Sequence, residues 1–77
     1  MLLASEARRI ADVGWNNLIK KMISDIENEI KERSKNGNTY YSYYGFMPPE
    51  IREELERCGY KVKNCKGNLY PYIKIEW

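Results

Sequence analysis

The side chains able to do chemistry are notable for what is missing. The chain holds seven tyrosines, two tryptophans and one phenylalanine, two cysteines and no histidine. Without histidine the commonest general base near neutral pH is absent, and a serine or cysteine nucleophile loses the partner that usually activates it. Cys58 and Cys65 fit no metal or redox motif, so zinc would need carboxylates or a second chain to complete its ligand set. Ordinary thiols are expected there. Glu50, Glu53, Glu54 and Glu56 crowd one short stretch directly after Pro48-Pro49. That is the usual acidic start of a helix, held against the positive end of its dipole, and a catalytic carboxylate pair is not expected. These residues point to a non-enzymatic protein with no cofactor and no metal.

What remains is a set of phenol rings beside cations. Residues 61–77 carry Lys61, Lys63, Lys66 and Lys74 against Glu76 alone, for +3, while residues 38–60 carry four glutamates against Arg52 and Arg57, for −2. The C-terminal segment is thus the cationic part. Rings and cations together suit nucleobases, phosphates or a protein surface. The expected binding residues are Tyr41, Tyr43, Lys61, Lys63, Tyr70, Tyr72 and Lys74, with Arg8 and Arg9 as the other basic pair, open equally to a solvated role.

Elements must position these groups. Leu3, Ala7, Ile10, Gly14, Leu18, Met22, Ile26 and Ile30 recur every three or four positions, which predicts a long amphipathic helix from Leu3 to Arg33, with Ser5 as N-cap and Asn36-Gly37-Asn38 as its stop. Gly14 weakens such a helix by about 1 kcal/mol and marks the expected place for a bend. Thr39 to Phe46, dense in aromatics, predicts a first strand. Pro49 opens a second helix through Cys58, closed by Gly59. Tyr60–Cys65 and Leu69–Trp77 predict a β-hairpin around Lys66-Gly67-Asn68.

The order α-β-α-β-β predicts an α+β fold. A right-handed crossover makes strands one and two parallel, and the hairpin inserts strand three between them, giving sheet order 1-3-2. Ile73, Ile75 and Trp77 share the only strongly apolar sheet face, so both helices are expected on it. Pro71 cannot donate to a ladder, so pairing on at least one side begins after it. The opposite face is left open and carries Tyr70, Tyr72 and Lys74, joined by Lys61, Lys63 and Cys65 if Val62 points inward. In the first strand, Phe46 inward takes Tyr44 and Tyr40 with it and leaves Tyr41 and Tyr43 on the open face. The competing reading of this face is a dimer interface that simply covers it.

Seventy-seven residues with 43% hydrophobic and 31% charged side chains suit one small compact domain, 1–77, and are too apolar for a disordered chain. Such a core seldom supplies more than ~3–5 kcal/mol, so self-association is expected as support. A net charge of +2 falls short of a dedicated duplex-DNA binder and disfavours single-strand binding. No apolar run reaches the ~20 residues of a membrane span, and Met1-Leu2-Leu3-Ala4 is too short for a signal peptide, which predicts a cytoplasmic protein with no membrane partner.

Three local patterns occur together: Ala4-Ser5-Glu6-Ala7-Arg8, Gly59-Tyr60-Lys61-Val62 and Ile73-Lys74-Ile75-Glu76-Trp77. With these the chain resembles small phage and prophage proteins that begin with an Ala-x-Glu-Ala-Arg helix and end with Gly-Tyr-x-Val and Ile-x-Trp strands. The resemblance spans nearly the whole length and supplies no catalytic residue. It implies a setting in the host cytoplasm, where non-enzymatic phage proteins of this size often act in anti-defence. Three roles follow from it. One is a sponge, a homo-oligomer that sequesters a cyclic nucleotide or cyclic ADP-ribose-like immune signal. The second is a protein-protein inhibitor of a host defence protein or complex, as anti-CRISPRs are. The third is a small virion or structural accessory protein. Its mildly basic charge favours the sponge, since inhibitors that mimic nucleic acid tend to be acidic.

Overall fold

A computed structural model describes residues 1–77. Its elements are α1 (Ala4–Lys35), β1 (Tyr40–Tyr43), α2 (Pro49–Arg57), β2 (Lys61–Lys66) and β3 (Pro71–Glu76). The sheet order is β1-β3-β2, with both neighbours antiparallel to β3, so the α+β arrangement with 1-3-2 order stands as expected. Both helices pack on the sheet face that carries Ile75. Ile26 and Ile30 of α1, Ile51 and Leu55 of α2, Ile75 of β3 and the connector residue Met47 form the buried core.

Each element ends for a local reason. At the end of α1, Gly37 N–H donates to the Ser34 carbonyl and Asn38 N–H to that of Arg33; α2 closes in the same way, with Gly59 N–H on Glu56 and Tyr60 N–H on Leu55. These paired bonds satisfy carbonyls that the helix leaves open. The start of α1 is different from expectation. Leu3, not Ser5, is the N-cap, and no side chain caps it. The helix is also continuous through Gly14. Arg52 ties α2 to the edge strand β2, donating to the Val62 carbonyl at 3.0 Å and to Asn64 Oδ1 at 3.2 Å, groups that an edge strand would leave unpaired.

Alternation fails in two places. β1 is only four residues long, and Gly45 at φ +107° turns the chain out of the strand, a conformation that other residues avoid. Phe46 is therefore out of phase with β1 and 73% exposed, while Met47 and Pro48 take the buried place. The hairpin loop is longer than expected and includes Leu69 and Tyr70, both exposed. Gly67 is required in it by close approach, since a Cβ there would lie 2.3 Å from the Tyr70 carbonyl oxygen. Pro71 pairs with Lys66 of β2, and pairing with β1 begins only at Ile73.

The molecule is elongated, not compact. Its Cα radius of gyration is 15.5 Å and its extents 53 × 27 × 19 Å, against about 11–12 Å expected for a compact chain of this length. The cause lies in the period of the α1 stripe. Its steps are mostly of four residues, and at about 100° per residue Leu3 and Ile30 end up about 180° apart around the helix. Ile19, Met22, Ile23, Ile26 and Ile30 meet the core that the sheet and α2 build. Leu3, Ile10 and Leu18 face elsewhere and stay exposed, so the first half of α1 is an arm that leaves the core.

Candidate functional site: the open face of the sheet

The strand register sorts the tyrosines. Tyr41 lies opposite Ile75, and Tyr43 opposite Ile73, so both point to the helix side and pack against the core. The expectation that Tyr41 and Tyr43 stand on the open face is corrected; with Phe46 detached from the strand, Ile75 sets the phase. Their surroundings are also wrong for an anion, because Asp25 and Glu29 line the same groove. Burial raises the Tyr41 phenol above its ordinary pKa, helped by Glu29 and opposed by Arg33. The Arg33 guanidinium sits 4.9 Å from the Tyr41 ring centre. Its Nε lies 3.5 Å from Glu29 Oε2 without the alignment of a hydrogen bond.

Three rows of side chains cross the open face instead. Tyr40, Glu76 and Lys61 form the first, Ser42, Lys74 and Lys63 the second. In the third, Tyr72 is flanked by Cys65 and by Tyr44, whose ring centre is 5.7 Å away at a tilt of 39°. Tyr40 and Tyr44 are the site residues that the sequence reading missed. The signal that could have found them was Gly45, which makes Phe46 a poor guide to strand phase.

A groove of about 490 Å³ runs across this face, lined by Tyr40, Ser42, Tyr44, Tyr72, Lys74 and the hairpin residues Lys66, Gly67 and Asn68. Lys74 Nζ stands 5.0 Å from the Tyr40 ring centre and 3.6 Å from Glu76 Oε1, which Lys63 Nζ approaches at 3.7 Å. Two ammonium groups thus share one carboxylate, leaving a net positive charge beside the rings. The Tyr72 phenol titrates above its ordinary value, first through a hydrogen bond with Cys65, then through the charge of Cys65, while Lys74 pulls the other way. It remains a neutral donor across the physiological range.

The other expected residues fall outside the groove. Lys61 and Lys63 share the open face but lie on β2, on the far side of β3. Tyr70 sits in the hairpin loop and is 70% exposed. Arg8 and Arg9 are on the arm, about 15 Å along the helix axis from Ile19, where Arg8 faces Asp12 at 3.9 Å; the structure does not bring them to the lysines of the sheet. Cys58 and Cys65 are both free thiols, Cys58 exposed and Cys65 half-buried. No group of three or more Cys, Asp or Glu side chains is placed to hold a metal ion, and no helix is long and apolar enough to cross a membrane. Comparison with protein-family models, curated proteins and solved structures finds no match to this chain.

Proposed function

We propose that the chain is a non-enzymatic binding protein that self-associates and holds an anionic, ring-bearing ligand on the open sheet face. The observation that carries this reading is the convergence of Tyr40, Tyr44 and Tyr72 with Lys66 and Lys74 on one groove that no helix covers. Rings stack on planar bases, and ammonium groups beside them hold phosphate. In the phage setting that the sequence resemblance implies, the ligand class is a nucleotide-derived bacterial immune signal, a cyclic nucleotide or a cyclic ADP-ribose-like molecule. The protein acts as a sponge in the host cytoplasm.

Calorimetric titration with a panel of cyclic dinucleotides, cyclic trinucleotides and cyclic ADP-ribose isomers tests the reading. At least one member should bind, and Tyr44→Ala or Tyr72→Ala should cost ~1–3 kcal/mol if its ring stacks on a base. Tyr41→Ala and Tyr43→Ala should leave the site itself intact in whatever fraction stays folded. No heat with any member of the panel would remove the sponge reading. The second reading, an inhibitor of a host defence complex, draws on the exposed leucine and isoleucine of the α1 arm, and a complex with a defence protein that survives Tyr44→Ala and Tyr72→Ala would favour it.

A further inference from the structure

The first half of α1 has an apolar stripe that its own chain does not use. Leu3 and Ile10 are each 63% exposed and Leu18 47%, and Ala7, Ala11 and Gly14 fall on the same side of the helix. Residues 4–18 are all exposed, and the arm's one side-chain hydrogen bond to the rest of the fold is from Trp15 Nε1 to Glu50 Oε2 at 2.8 Å. An arm held so lightly is marginal in water, because most helices in proteins are held by packing of one face. Gly14 weakens it further, and nothing in the chain explains the glycine: a Cβ at that position would meet no atom within 4 Å.

We infer that this arm is a self-association surface, on which a second copy of the chain packs antiparallel about a two-fold axis between Ile10 and Ala11. The inference rests on the sponge reading for the role of the dimer and not for its geometry. In this register Leu3 lies opposite Leu18 of the partner, Ile10 opposite Ala11 and Ala7 opposite Gly14, so large residues close the ends and small ones let the backbones approach. The charges do not oppose pairing with itself. Glu6 and Asp12 balance Arg8 and Arg9, the stripe itself is uncharged, and Arg9 and Asp12 lie on the side of the helix away from it. The helix dipoles are opposed.

Size and shape agree. The stripe is about 22 Å long, so two copies bury on the order of 1,000 Å², near the lower bound for a specific interface. In this register residue 19 of each copy lies opposite residue 2 of the other, so the two folded bodies sit at opposite ends of the dimer. The open sheet faces stay free, one ligand groove per copy.

Sedimentation equilibrium of the full chain at ~10–100 µM should show a dimer. Gly14→Leu is the diagnostic variant, since it improves helix propensity and has open space in the monomer, yet it should weaken the dimer about tenfold or more by overpacking. Ile10→Glu should act in the same direction without disturbing the core. Orientation is read by disulfide cross-linking in a Cys58→Ser, Cys65→Ser background. Ala11→Cys should link to its own copy, and Leu3→Cys should link only when mixed with Leu18→Cys, because two Leu3 positions would be about 22 Å apart. A wild-type chain that stays monomeric, a dimer indifferent to Gly14→Leu, or self-linking Leu3→Cys would each overturn the inference. So would an arm that binds only an unrelated protein. A dimer with no affinity for the nucleotide panel would sink the ligand reading alone, and a monomer that binds a panel member would sink the dimer alone.

Discussion

Replacing Lys74 with glutamine isolates one charge of the groove and separates binding from folding. The ammonium is part-exposed, 3.6 Å from Glu76 Oε1 and 5.0 Å from the Tyr40 ring centre. A screened ion pair of this kind contributes ~0–1 kcal/mol, and a cation over an exposed ring about 0.5–1 kcal/mol. Lys63 also faces Glu76, so the carboxylate keeps a partner in the variant. Lys74→Gln should therefore lower stability by no more than about 1–2 kcal/mol. For a bound phosphate at about 4 Å, one unit charge is worth ~1 kcal/mol in bulk water and ~4 kcal/mol at a protein surface. The expected loss of affinity therefore lies between about fivefold and about a thousandfold. Calorimetry at two ionic strengths reads it: the gap between wild type and Lys74→Gln should narrow in high salt, since the Debye length falls from ~10 Å at 0.1 M to ~3 Å at 1 M. Affinity unchanged by Lys74→Gln, or lowered by an amount that ignores salt, would refute the placement of an anion in this groove.

Arg52→Ala should destabilise the fold by about 1–3 kcal/mol in denaturant unfolding, because it removes the donors that satisfy the Val62 carbonyl and Asn64 on the edge strand. Gly67→Ala should disturb the hairpin and the groove wall together, given the 2.3 Å approach of the Tyr70 carbonyl to its added Cβ; a variant with unchanged melting temperature and ligand affinity would contradict the loop geometry. In a phenolate absorbance titration Tyr72 and Tyr41 should ionise above 10.0, the ordinary tyrosine value, and Cys65→Ala should return Tyr72 toward it. Both folded pKa values are raised, so any stability they contribute is fully present below pH 10 and is lost as pH rises through the folded values. Reducing agent should not shift the melting temperature, since Cys58 and Cys65 are free.

Residue order alone determined the element sequence, the sheet order 1-3-2 and the face that the helices cover. Those follow from local signals, Pro49 before a helix, Gly59 after it and alternation through Ile73 and Ile75, and from a hairpin whose ends are close in sequence. The identity of the open-face lysines followed from the same alternation.

Only the tertiary structure decided which tyrosines share that face with them. A run of Tyr40, Tyr41, Tyr43 and Tyr44 is apolar enough on both sides of a strand that its own pattern sets no phase. The pairing of Tyr41 with Ile75 settles it, a contact more than thirty residues distant in sequence. The same holds for α1. Its apolar spacing reads as one continuous stripe, but each four-residue step rotates it about 40° around the helix, and that small excess accumulates until one end meets the sheet and the other faces away. Where the sheet sits along the helix decides which half becomes core and which becomes arm, and no local preference encodes that choice.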